Sequence, residues 1–127
     1  IVQQRMQALT IPYIYQGQEN KLAAFDELQQ KLQLNPRQIA YMGDDIPDIP
    51  VLRVAGLSAC PQDAVSDVKA NVHYQSPYLG GKTCVRDLIE QTLRCQNKWL
   101  SRVWHGRSSA KHAVCQRHSS AANGRLA

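Results

Sequence analysis

Three carboxylates, Asp44, Asp45 and Asp48, follow the apolar run Ile39-Ala40-Tyr41-Met42 and Gly43, where a buried strand would end. Oxygen donors there suit a hard cation such as Mg²⁺, which takes one or two carboxylates and completes its octahedron with water and substrate phosphate. Lys21 lies 23 residues before Asp44, at the mouth of another strand-to-helix turn. An ammonium held beside carboxylates and a phosphoryl group offsets the charge there and stabilises a phosphorylated intermediate electrostatically. Phosphate chemistry is the function these residues suggest together. Each also has a plainer role open to it: acids at a helix start are favoured by the dipole alone, and a lysine there is commonly just solvated. Polymerases that use Gly-Asp-Asp need a far larger fold than 127 residues allow. Nothing before Lys21 supplies a second acidic strand end, so half of an active site is expected.

The elements that must position these groups are short and alternate. Apolar residues at 1, 2, 6 and 9 read as the end of a helix, and Ile11–Tyr15 as a β-rich run with Pro12 near its start. Asn20 is placed to cap a helix whose stripe is Leu22, Phe25, Leu28 and Leu32, stopped by Asn35-Pro36. Gln38–Met42 is the next strand, and the acidic turn leads into a short helix with Ile49, Leu52 and Val54, closed at Gly56. Leu57–Cys60 reads as a strand, Ala64–Ala70 as a helix and Val72–Tyr74 as a strand. Beyond the Gly80-Gly81 loop, Thr83 is placed to cap a helix with Val85, Leu88, Ile89, Thr92 and Trp99 on one side. Strands alternating with helices predict an α/β fold with a parallel sheet, whose ligands gather at the carboxyl ends of strands. Lys21 and the acidic turn both fall at that edge.

A chain of this length buries roughly two-thirds of its unfolded surface in one core. Its apolar runs are too short for a membrane span, which needs about 20 residues, and no targeting segment is readable from Ile1. Cysteines 60, 84, 95 and 115 match neither a metal knuckle nor a disulfide scaffold, so reduced thiols in a cytoplasmic protein are expected. The net charge of +5 is unevenly placed: residues 1–95 hold nine Lys/Arg against ten Asp/Glu, whereas residues 96–127 hold six Lys/Arg and no acid. All the basicity belongs to the tail. From about Ser101 the composition turns to Ser, Arg, His and Ala, which reads either as disorder or as an out-of-frame translation. A nucleic-acid-binding arm is the lesser alternative, because aromatic interleaving is lacking.

Gln16-Gly17-Gln18-Glu19-Asn20-Lys21, Ile39 to Asp48, and Val54-Ala55-Gly56-Leu57-Ser58, taken in order, resemble the 3-deoxy-D-manno-octulosonate (KDO) 8-phosphate phosphatases of the haloacid dehalogenase superfamily. The resemblance covers residues 1 to about 96. It implies a Rossmann-like core and a cytoplasmic, homotetrameric, Mg²⁺-dependent phosphatase that frees KDO from its 8-phosphate in lipopolysaccharide synthesis. By the same resemblance Lys21 is the motif lysine, Asp44 a Mg²⁺ ligand, and Asp45 and Asp48 catalytic residues that orient metal-bound water or the lysine. Lys82 would bind substrate from a glycine-rich segment, although Thr83-Cys84 stand where the family usually has Gly-Ala. The family's Asp-x-Asp nucleophile strand and Thr-Gly phosphate loop find no counterpart in this sequence. The resemblance therefore implies a partial domain over 1–100, lacking its first strand and inactive alone, with 101–127 as a basic tail. The partner expected is a small sugar phosphate, with neither membrane nor nucleic acid. From a different class, a non-catalytic oligomerisation module of a sugar-acid cytidylyltransferase is the alternative.

Overall fold

The computed structural model describes residues 2–100. The expectations for the tail 101–127 and for Cys115 lie outside them. Helix α1 (Val2–Ala8) is followed by an irregular segment and helix α2 (Lys21–Leu32). Strand β1 (Ala40–Met42), helix α3 (Ile49–Val54), strand β2 (Leu57–Cys60), helix α4 (Ser66–Lys69), strand β3 (Tyr74–Gln75) and helix α5 (Cys84–Cys95) complete the order.

The Asn20 side chain accepts from the Ala23 N–H at 3.0 Å and starts α2, as its sequence position predicts. Gln33 closes the helix in the left-handed conformation at φ 52°, and the Leu34 N–H returns to the Gln29 carbonyl at 3.0 Å. The three strands form one parallel sheet in the order β1-β2-β3, with Ala40 opposite Leu57 and Ala59 opposite Tyr74. Parallel neighbours require crossovers, and α3 and α4 supply them. The expected α/β fold with a parallel sheet is thus observed, and its core gathers Leu52, Cys60, Ala64 and Val68, with Tyr41, Ile49 and Val72 packed against them.

Five local expectations need correction. Ile11–Tyr15 forms no strand, because a ladder needs a neighbour and none pairs with it among the described residues. Its side chains hold it to α2 instead: the Lys31 ammonium lies 5.0 Å from the Tyr13 ring centre, and the Tyr15 hydroxyl donates to Glu27 at 3.2 Å. The last strand sits later than 72–74, at Tyr74–Gln75, because His73 turns its ring back onto Ser58, whose N–H donates to Nδ1 at 3.0 Å. The helix expected over 64–70 shortens to α4.

In α5, Val85 and Ile89 point outward, 56% and 52% exposed, while Cys84, Asp87 and Leu88 are buried. Asp87 causes this rotation, since its carboxylate accepts from the Tyr74 and Ser76 hydroxyls, both at 2.7 Å. Thr83 does not cap: it adopts φ 69°, and its hydroxyl donates to the Lys82 carbonyl at 2.5 Å. Among the described residues, Cys60, Cys84 and Cys95 form no disulfide.

Gly56 is required by a close approach rather than by its φ. A methyl group there would press into the Cα and carbonyl of Arg37, while the Gly56 N–H donates to the Pro36 carbonyl at 2.8 Å. Main chain cannot give way as a side-chain tip can. Gly56→Ala should therefore lower stability by about 1–3 kcal/mol, as overpacking does, read from the midpoint of urea unfolding.

Candidate active site

Tyr41 and Met42 carry the chain to the carboxyl end of β1, where Gly43 leaves the sheet. Glycine is needed there because a Cβ would strike the Asp48 side chain. Asp45 then caps a single 3₁₀ turn, Ile46–Asp48, accepting from the Ile46 N–H at 2.7 Å. That turn folds Asp48 back beneath the loop, only 2% exposed. Its Oδ2 accepts from the Asp44 and Asp45 amides at 3.1 and 3.3 Å. Its Oδ1 accepts from the Lys21 ammonium and the Tyr41 hydroxyl, both at 2.7 Å.

Both Asp48 oxygens are thus taken up by donors on this chain, which fits it to position Lys21 and leaves a metal little to bind. Asp45 is committed to the turn. Asp44 differs: it is exposed, and its carboxylate has no hydrogen bond or ion pair among the described residues. One unpaired carboxylate, with excess negative charge around it, fits one protein ligand of a Mg²⁺ ion that takes its remaining oxygens elsewhere. Among the described residues no group of three His, Cys, Asp or Glu could hold a metal together. The donor set therefore suits one ligand within a shared site.

Burial opposes ionisation of Asp48, but the bonds from Lys21, Tyr41 and the Asp45 and Asp44 amides prevail and hold its pKa below the ordinary 3.8. A depressed carboxylate contributes stability that is fully present above the unfolded-state value and is lost as pH falls through the folded one. Urea midpoints should accordingly drop between about pH 5 and pH 3, and Asp48→Asn should flatten that part of the profile. Burial, together with the Asp48 bond and charge, pushes the Tyr41 phenol up, so it remains a donor at neutral pH.

Tyr41 is the site residue that sequence reasoning missed. It was legible only as part of an apolar strand, yet its ring meets Phe25 edge-on at 6.4 Å between centroids while its hydroxyl reaches Asp48. A polar tip on an otherwise apolar strand, seven residues before an acid, was the available signal. Lys82 is exposed on the glycine loop, with no hydrogen bond or ion pair to Lys21, Asp44 or Asp48.

Three loops at this edge are tied together. The Val65 N–H donates to the Asp44 carbonyl at 3.1 Å, the Gln62 N–H to the Tyr78 carbonyl at 2.9 Å, and the Gly80 N–H to Asp63 Oδ1 at 2.7 Å. Lys21, Asp44 and Asp48 also sit at one end of a groove of about 480 Å³ between α2 and β1, floored by Ala24, Phe25 and Leu28.

Known proteins resemble this chain in sequence and in fold. Residues 6–79 match the family model described as haloacid dehalogenase-like hydrolase. Over 98 residues the chain is 39% identical to the 3-deoxy-D-manno-octulosonate 8-phosphate phosphatase of Yersinia pestis, covering 77% of this chain and 52% of that protein. The crystal structure of the Yersinia pestis phosphatase superposes with a TM-score of 0.75, over 77% of this chain and 53% of that one. The Moraxella catarrhalis phosphatase, solved with magnesium, phosphate and KDO, gives a TM-score of 0.76 at 33% identity, covering 80% and 59%. The chain spans about half the length of the curated relatives it matches. By the match of the family model over residues 6–79, the chain belongs to the haloacid dehalogenase-like hydrolases.

Proposed function

We propose that these residues form part of a Mg²⁺-dependent phosphatase that hydrolyses KDO 8-phosphate to KDO and phosphate. The observation that carries this reading is the placement in one groove of an unpaired Asp44 and of Lys21, whose ammonium donates to an Asp48 that also accepts from Tyr41. Mg²⁺, when bound, supplies a positive charge against the phosphoryl oxygens. Asp44 would be one of its ligands. Lys21 presents an ammonium whose position is fixed by the 2.7 Å bond to Asp48, so it meets developing negative charge without reorganising. Tyr41 keeps Asp48 ionised and oriented, and Asp45 keeps the turn wound. Lys82, on the tied glycine loop, would meet the anionic end of the sugar acid.

The nucleophilic aspartate implied by the resemblance is not among residues 1–127, so turnover is assigned to the assembled protein. A homotetramer in the cytoplasm is the matching assembly and location; among the described residues no helix is long and apolar enough to cross a membrane. The relatives described above are phosphatases, which does not favour the oligomerisation-module alternative. The test joins residues 1–100 to the remaining half of a relative and measures phosphate release from KDO 8-phosphate with and without Mg²⁺. Release that requires Mg²⁺ is expected. Absence of release from every sugar phosphate tried would overturn the enzymatic reading.

A further inference from the structure

Asp87 is buried with its two oxygens unequally served. Oδ2 accepts from the Tyr74 and Ser76 hydroxyls at 2.7 Å, whereas Oδ1 accepts a long bond, 3.4 Å, from the Gln91 amide. No Lys or Arg pairs with this carboxylate among the described residues. One turn along α5, Gln91 Oε1 is buried and has no hydrogen-bond donor. Reversing the amide would set its oxygen against the Asp87 carboxylate, so the unpartnered atom is an acceptor. Buried acceptors in folded chains nearly always have a donor, and an exception points to a partner. Both side chains border a cleft of about 270 Å³, lined also by Tyr78, Thr83, Arg86 and Glu90. Glu90 gives Oε1 to Arg94, at 2.9 and 2.6 Å, and its Oε2 has no bond among the described residues. Arg86 is exposed, and its guanidinium has neither a hydrogen bond nor an ion pair among them.

We propose that this cleft binds a small α-amino acid, its ammonium held by Asp87, Gln91 and Glu90 and its carboxylate by Arg86. An ammonium carries three N–H donors and no acceptor, and the cleft offers Asp87 Oδ1, Gln91 Oε1 and Glu90 Oε2 to meet them. An unpaired guanidinium on the same wall calls for an anion, and its fork matches a carboxylate. The two demands together select a ligand that bears both charges. A bare metal ion suits the cleft less, since no group of three His, Cys, Asp or Glu could hold one among the described residues. The volume is several times the roughly 30 Å³ share of a water molecule and falls below the range of drug-sized ligands. Reaching the ammonium requires the Gln91 amide to turn out of its buried position. The terminal torsion of glutamine is broad, and the bond given up is the long one to Asp87, so the turn costs little. The cleft shares no residue with the groove that holds Lys21, Asp44 and Asp48. The inference is therefore independent of the phosphatase reading, and binding is measured without turnover.

The test titrates the 127-residue chain, ¹⁵N-labelled, with L-serine, with methylammonium as the cation alone and with acetate as the anion alone. L-Serine should shift the Gln91 side-chain amide and Arg86 Nε signals and saturate in the millimolar range, with each fragment at least about tenfold weaker. Gln91→Leu removes the buried acceptor, leaves no polar atom unpartnered and should abolish saturation. Arg86→Ala changes an exposed side chain and should lower serine to the level of methylammonium while leaving methylammonium itself unchanged, which keeps the test decisive if the leucine variant fails to fold. Absence of a saturable shift at tens of millimolar serine overturns the inference and leaves the Gln91 oxygen to solvent. Serine binding undiminished in either variant overturns it too. So does a Mg²⁺ titration that moves the same signals at lower concentration than serine, which would make the cleft a cation site.

Discussion

Asp44→Ala should reduce Mg²⁺-dependent phosphate release by roughly a thousandfold in the joined protein, the scale on which loss of a charge-stabilising group acts, while leaving its urea midpoint nearly unchanged. The kinetic and structural halves of this expectation have separate origins. Asp44 is exposed, and its carboxylate has no hydrogen bond or ion pair among the described residues, so its removal breaks no such contact there. Substitutions of that kind usually stay within about 0.5 kcal/mol. Its amide does bond to Asp48, but that bond survives replacement by alanine. A residue so weakly tied to the fold that nevertheless governed turnover would be acting through a ligand. Steady-state assays across a Mg²⁺ titration, with urea unfolding of the same samples, check both halves. A variant that kept full activity would remove Asp44 from the metal.

Asp48→Ala should do the reverse at the level of folding, lowering stability by about 3 kcal/mol and the folded-to-unfolded ratio on the order of a hundredfold. Four donors converge on this one side chain, at 2.7 to 3.3 Å. Removing the acceptor strands them unequally. Lys21 keeps 37% of its side chain in contact with solvent and can rehydrate, which limits its share of the loss. The Tyr41 phenol and the two turn amides are less free to do so, and the 3₁₀ turn loses the contact that folds it back. Lys21→Met should cost less than Asp48→Ala, because Asp48 would retain three of its four donors. Urea unfolding of both variants at pH 7 tests the order, and equal losses would mean that the ion pair alone stabilises the turn.

The sequence disclosed the chemistry of this region more completely than its geometry. Carboxylates after an apolar run located the strand end, and the spacing of Leu22, Phe25 and Leu28 located α2, because burial imposes both patterns. Asn20 declared the helix start through a cap that needs no tertiary partner. Features that depend on distant partners were not legible. Ile11–Tyr15 has strand composition, but pairing decides whether a strand exists, and composition is silent about pairing. Val85 and Ile89 obey helical periodicity, yet Asp87 turns the helix the other way through two hydroxyls from the β3 region. The distinction between Asp44 and Asp48 came from the resemblance and not from the residues themselves, since acids sharing a turn read alike until their donors are located.

The ties among the loops at the carboxyl edge have a mechanical meaning. Asp44 reaches the 61–65 loop through Val65, and that loop reaches the glycine segment through Gln62 and Asp63. The acidic turn and the segment bearing Lys82 are therefore linked parts of one frame, with Asp63 as its crosspiece. A displacement at either end is carried to the other, so under the proposed function the distance between the two ends of the sugar phosphate would be set by residues that touch neither end.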